Sequence, residues 1–330
     1  MAKILLTHPH DAFVTYYGEK ALAGLQSAAQ VQRNTTGKEL NNSELIEAAK
    51  DCQIIVSYRQ TPGEGELFRN LPGLVAFCRC AVDIRNVDVA AASAEGILIT
   101  HAGPGFMASV SEWVIGAMID LSRQITASAQ TFHAGGAPIP AMGRELRGAT
   151  LGVIGYGRIS RYLCKLGLAL GMKIVVSDPY AEINDPAITA LELPSLLKQA
   201  DYVVCLAVAN EDTENLMNAR TFGYMKPTAF FINPSRGNLV DEAALRQALD
   251  MGQIAGCAMD VGRAPDQMPT PALARHEKVI ATPHLGGLTP PAIEFQALET
   301  VAQVAEILMG KAPKGAVNAE HATRLARLRP

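Results

Sequence analysis

Short apolar runs recur along the chain with helix-patterned stretches between them: KILLT, QIIVS, LVAFC and ILIT in the first hundred residues, then LGVIG, KIVVS, DYVVCLAV, AFFIN, IAGCAM and KVIAT. Runs this short and this continuously apolar read as strands buried on both faces, which a parallel sheet covered by helices provides. An α/β protein follows. The ten runs exceed what one compact doubly wound domain uses, and they fall into two groups separated by an amphipathic stretch at 109–132. Two doubly wound parallel-sheet domains are therefore expected. A last helical segment, PPAIEFQALETVAQVAEILMG, follows the second group behind a glycine-rich HLGGLTPP that reads as a hinge, and is expected to fold back on the first group.

With 330 residues, 48% of them apolar, the chain can fill two cores. A formal charge of -3 and no Lys/Arg run longer than two leave no basic footprint for nucleic acid. The opening MAKILLTHPHD is too short in apolar residues for a signal peptide, and no run approaches the roughly 18 apolar residues of a membrane-spanning helix. No membrane partner and a cytoplasmic location are expected. The six cysteines sit mostly inside apolar runs, as small hydrophobes, and the close pair in CRC lacks a second Cys/His pair at a zinc-site spacing. No metal is expected.

LGVIGYGRIS has the strand, glycine turn and helix that dinucleotide binding requires. Gly155 permits the tight turn and Gly157 lets backbone approach a pyrophosphate. Arg158 and Ile159 open the helix, whose free amides and positive dipole end favour the phosphates. Ser160 stands where the pattern has its third glycine, and is small enough for the helix–strand packing that position serves. Asp178 ends the next run, 23 residues beyond Gly155, near the acid that accepts from the adenosine ribose and repels a 2′-phosphate. It favours NAD over NADP, unless Asp178 merely begins the DPY turn.

Arg236 in FFINPSRGNLVDE and His284 in VIATPHLGG each lie just past a buried strand, where the carboxyl ends of an open α/β sheet face the ligand. An arginine there can grip a carboxylate in bidentate fashion and polarise an adjacent carbonyl, and a histidine can give or take an alcohol proton. Taken singly, the arginine could pair with a surface acid and the histidine could cap a turn. Between them DVGRAPDQMP, residues 260–269, has two prolines, a glycine and no period, so it is a loop; its acids are Asp260 and Asp266.

The ordered set GVIGYGRIS, Asp178, INPSRGNLVDE, AMDV and TPHLGG, with RNVDVAAASAEGILIT and SVSEWVIGAMIDLSRQI, resembles the D-isomer-specific 2-hydroxyacid dehydrogenases over nearly the whole chain. The resemblance implies a Rossmann NAD-binding domain, 101–286, inserted into a flavodoxin-like substrate domain made of 1–100 and 287–330. It implies NAD-dependent, reversible interconversion of a small 2-keto acid and its D-2-hydroxy acid, and a homodimer paired through the nucleotide domains. Trp113, Ile115, Met118 and Ile119 would give that dimer an apolar helix face, the alternative being burial inside the monomer. Family members rely on an Arg, a Glu and a His, and Arg236 and His284 match the first and last. The glutamate position, five residues after Asp260, is Pro265. Asp266, one residue on, becomes the candidate partner of His284, with Gln267 a neutral rival, and Asp260 is expected beside the nicotinamide. Arg59 and the loop CRCAVDIRN resemble the regions that contact the substrate carboxylate, with Ala81, Val82 and Asp83 standing where a glycine-containing loop is usual; Arg79 and Arg85 either bind a second acidic group or are solvated on a surface loop. The altered acid motif keeps open an NAD-binding regulatory or scaffolding protein.

Overall fold

The structure, a computed structural model, describes residues 2–265 and 267–328. Two compact units divide the chain, one of Met1–Gly105 with Pro290–Pro330 and one of Phe106–Thr289.

The first unit holds a five-stranded sheet of β1 (Lys3–Leu6), β2 (Gln30–Arg33), β3 (Ile54–Ser57), β4 (Ala76–Arg79) and β5 (Leu98–His101), ordered β2-β1-β3-β4-β5. All pairs are parallel. This is the flavodoxin-type order, which reverses direction between β1 and β3. Alternate residues feed two cores. Ile4, Leu6, Ile54, Val56 and Cys78 meet the helices Glu19–Ala28 and Pro290–Leu308, whereas Leu5, Ile55, Phe77 and Ile99 meet Leu45, Leu67 and Phe68. The late helix thus folds back as expected, burying Ala297, Val304 and Ile307 in the first core.

The second unit holds seven parallel strands: β6 (Thr150–Ile154), β7 (Lys173–Ser177), β8 (Ile188–Ala190), β9 (Tyr202–Cys205), β10 (Phe230–Asn233), β11 (Gly256–Met259) and β12 (Val279–Ala281). Their order, β12-β11-β10-β9-β6-β7-β8, reverses between β6 and β9 and is the dinucleotide-binding arrangement with one strand added. Because every pair is parallel, all seven carboxyl ends lie along one edge.

The described strands number twelve against the ten expected. The additional two, β2 with sequence QVQR and the three-residue β8, are sheet edges where one side needs no continuous apolar run. The stretch 109–132 forms two helices, Met107–Arg123 and Ile125–His133, separated at Gln124 by a left-handed φ of 52°. Its expected single apolar face is corrected: Met118 is buried in the unit's own core, Trp113 and Ile115 pack against that core, and only Ile119 of the four is exposed. The helix Ile125–His133 has no buried residue, and Ile125 and Phe132 are 53% and 64% exposed. All six cysteines are buried thiols, and burial pushes Cys78 and Cys205 up to about 12. Among the described residues no group of three or more His, Cys, Asp or Glu could hold a metal, and no helix is long and apolar enough to cross a membrane.

Candidate active site

β6 is followed directly by Gly155, whose φ of +88° and surroundings exclude any side chain, since a Cβ would stand 2.8 Å from the Leu206 carbonyl oxygen and 2.9 Å from Ala207 backbone. The turn therefore brings the ends of β6 and β9 together where the strand order reverses. Gly157 is different: its φ is negative, and nothing lies within 4 Å of the place its Cβ would take. A glycine in open space, starting the uncapped helix Arg158–Ala169, leaves the first helical amides approachable by an anion. Arg158 is exposed there and Ile159 half-buried, while Ser160 is buried in the helix–strand packing.

Asp178 serves the turn and the glycine loop at once. Its Oδ1 accepts from the amides of Tyr180 (2.8 Å) and Ala181 (3.0 Å), and its Oδ2 accepts from Tyr156 (2.6 Å). A carboxylate offers about four acceptor directions, so one remains for a further donor.

β10 ends on the buried Asn233, which the sequence reading missed. Its amide donates to the Arg236 carbonyl (2.9 Å), and its Oδ1 accepts from Ser235 N (3.1 Å). The backbone of Arg236 is thus held from the strand end, and its half-buried side chain donates from Nη1 to the Ser235 carbonyl (2.8 Å). Only its position in the NPSR turn next to a strand end could have flagged Asn233, because a strand-terminal Asn commonly makes such local bonds.

His284 sits in the loop after β12 with φ 54°, a conformation that costs a non-glycine residue about 1 kcal/mol or more and must be held by its surroundings. Asp260, at the end of β11, holds it. The His284 amide donates to the Asp260 carbonyl (2.9 Å), while the Asp260 carboxylate accepts from Thr282 Oγ1 (2.6 Å), Leu285 N (2.8 Å) and Gly286 N (2.8 Å). A Cβ on Gly286 would stand 2.9 Å from Asp260 Oδ2, so glycine is what allows the close approach. Asp260, expected beside the nicotinamide, is 1% exposed, and its carboxylate is turned into the histidine loop.

The loop after β11 folds on itself through Gly262 N to the Gln267 carbonyl (2.9 Å) and Ala264 N to the Met268 carbonyl (3.1 Å). Asp266 lies outside the described residues. The loop presses on the Arg236 turn so tightly that a Cβ on Gly237 would fall 2.0 Å from the Gly262 carbonyl oxygen.

In the first unit, Arg59 follows β3 at the point where the order reverses, half-buried, with its guanidinium 5.8 Å from the Tyr16 ring centroid. Ala81 and Val82, half-buried, follow β4. Arg79 is corrected from a surface-loop residue to a fully buried one: its guanidinium donates to the carbonyls of Tyr58 and Thr61 (2.9 Å) and to Asn86 Oδ1 (2.7 Å), pinning the loop that carries Arg59. Arg85 pairs with Asp83 (2.6 Å). His8, after β1, is buried against Tyr17 and Tyr58, and burial together with Arg79 and Arg33 pushes its pKa down to about 3.

These features define a dinucleotide-binding α/β protein with an arginine and a histidine at the carboxyl edge of the nucleotide sheet. Residues 115–286 match the NAD binding domain of the D-isomer specific 2-hydroxyacid dehydrogenases, and the chain belongs to that family. It is 31% identical over 298 residues to the (S)-sulfolactate dehydrogenase of Chromohalobacter salexigens, spanning 89% of this chain and 96% of that one. It is 30% identical over 322 residues to the D-3-phosphoglycerate dehydrogenase of a Synechocystis species, spanning 96% of this chain. The chain covers little more than half, 56%, of that longer relative. A crystal structure of a Thermus thermophilus protein superposes with a TM-score of 0.84 at 28% identity, covering 96% of this chain and 99% of that one.

Proposed function

We propose that the chain reduces a small 2-keto acid reversibly to the D-2-hydroxy acid at the expense of NADH. The observation that carries this reading is the common edge: Gly155, Arg236 and His284 all follow carboxyl ends of one parallel sheet. NADH, when bound on the glycine loop, supplies the hydride to the keto carbon. Arg236 forks to the substrate carboxylate and polarises the keto oxygen; His284 delivers the proton to that oxygen, so hydride and proton together make the alcohol. Asp178 accepts from the adenosine ribose and sets the preference for NAD. Asp266 is the proposed carboxylate partner of the His284 imidazolium. Arg59, Ala81 and Val82 contact the substrate from the substrate domain, 1–100 and 287–330, and residues 101–286 form the NAD-binding domain.

The protein works as a cytoplasmic homodimer in this reading, with the unburied apolar helix Ile125–His133 as a contact. A panel of 2-keto acids with NADH, including the oxidised forms of sulfolactate and 3-phosphoglycerate, tests the activity. His284→Ala should abolish most turnover at every pH, and Asp266→Asn should lower the apparent pKa of the reduction profile with NADH binding unchanged. NADH binding without turnover on the whole panel would favour the regulatory reading that Pro265 at the acid position raises.

A further inference from the structure

We propose that Arg263 is a positioning residue that sets Arg236, by fastening the loop after β11 to the turn that follows Arg236. The proposal rests on the proposed role of Arg236 in gripping the substrate. Arg263 Nε donates to the Val240 carbonyl (2.8 Å), and Nη2 is shared among the Asn238 carbonyl (2.9 Å), Glu214 Oε1 (2.7 Å) and Asn215 Oδ1 (2.5 Å). Its own amide donates to Glu242 Oε1 (2.8 Å), and Glu242 Oε2 accepts from Thr270 Oγ1 (2.6 Å) at the far end of the loop. One guanidinium therefore grips the Asn238 carbonyl inside the 3-10 turn Gly237–Leu239 and the Val240 carbonyl just after it, and the turn begins at the residue after Arg236.

The entry to that turn is held by the Asn233 bond to the Arg236 carbonyl and by the close approach of Gly262 backbone to Gly237. Arg236 is thereby fixed between a strand end and a loop that Arg263 ties down. The ion pair with Glu214 is not the source of this effect. Both side chains are about a third or more exposed, at 34% and 42%, and such pairs contribute little. What matters is the planar fork directed at carbonyls spaced two residues apart, which a lysine ammonium cannot reproduce. Gly262 makes the arrangement possible, since a Cβ there would stand 2.4 Å from Pro269 Cα and 2.5 Å from the Met268 carbonyl oxygen.

The test uses the full chain carrying Arg263→Ala, with Arg263→Gln as a second variant should the first fold poorly. Against a 2-keto acid that the parent reduces, KM should rise on the order of ten- to a hundred-fold, the penalty of a misplaced substrate-gripping group, while NADH affinity stays within about two-fold. Added guanidinium ion should restore much of the loss, and Arg263→Lys should not. Amide exchange over 236–241 should accelerate in each variant, a readout that needs no turnover. A parental KM, or exchange over 236–241 identical to the parent, overturns the proposal. A parent inactive on the whole panel would instead overturn the proposed activity, and the exchange result would still decide whether Arg263 fixes the turn.

Discussion

The amide of His284 donates to the carbonyl of Asp260 at 2.9 Å, and the carboxylate of the same aspartate takes hydrogens from residues on both sides of the histidine, Thr282 before it and Leu285 and Gly286 after it. A single buried carboxylate thus holds a histidine in a left-handed backbone conformation that it would not adopt alone. Asp260→Asn puts an NH2 group against a backbone N–H. The unsatisfied buried donor costs about 1–3 kcal/mol, and the loop should relax to recover it. We expect turnover to fall on the order of a hundred-fold with NADH affinity changed only a few-fold, measured by steady-state rates beside cofactor titration. An unchanged rate would mean that the histidine loop holds its shape without the aspartate.

Asp178 makes two commitments, to the DPY turn and to the glycine loop, and a free acceptor direction is left over. The parent should bind NADH more tightly than NADPH. Asp178→Ala should narrow that gap and weaken both cofactors, because the amides of Tyr156, Tyr180 and Ala181 lose their acceptor. Equal affinities in the parent would remove Asp178 from the ribose role.

His8 makes stability depend on acid. Burial, then the charges of Arg79 and Arg33, lower its pKa from 6.5 to about 3. Below 6.5 the unfolded chain takes up a proton that the folded chain refuses until about pH 3, so this contribution is complete above 6.5 and is lost as the pH falls. The slope approaches about 1.4 kcal/mol per pH unit. Among the described residues neither ring nitrogen has a hydrogen-bond partner, so His8→Leu removes a titrating group without orphaning another. Denaturant unfolding between pH 7 and 4.5 should show a shallower acid loss in the variant; parallel curves would place the acid sensitivity elsewhere.

Phe132→Glu and Ile125→Glu change side chains that are more than half exposed in the monomer. Each should leave thermal stability of the folded chain nearly unchanged and convert a dimeric mass to a monomeric one at micromolar concentration, by light scattering or sedimentation. A parent already monomeric, or a mutant still dimeric, would exclude this helix as the contact.

The glycine turn, Asp178, Arg236 and His284 were legible because each occupies a fixed offset from a continuous apolar strand, the strongest local signal in an α/β chain. β2 was not: QVQR alternates polar residues at an edge, where neighbours hide only part of the strand. Arg79 misled because a charge after an apolar run reads as the start of a loop, whereas its fork finds three acceptors inside the fold. The face built on Met118 failed because an amphipathic pattern gives the angle between side chains but not which side meets the core. The bonds of Asp260 to the histidine loop were not legible, because no pattern of spacing announces a carboxylate turned back on the next strand's loop.

The late helix Pro290–Leu308 supplies Ala297, Val304 and Ile307 to a core whose strands all precede residue 102. During synthesis, the first five strands therefore emerge with one face lacking part of its cover, while the seven-stranded unit that follows has all its own strands in one continuous segment. The chain made first is completed last. Until the helix arrives, the early sheet is an apolar surface open to chaperones and to misassembly, and folding of the inserted unit shortens the search by bringing its two flanking segments to fixed points on a folded body.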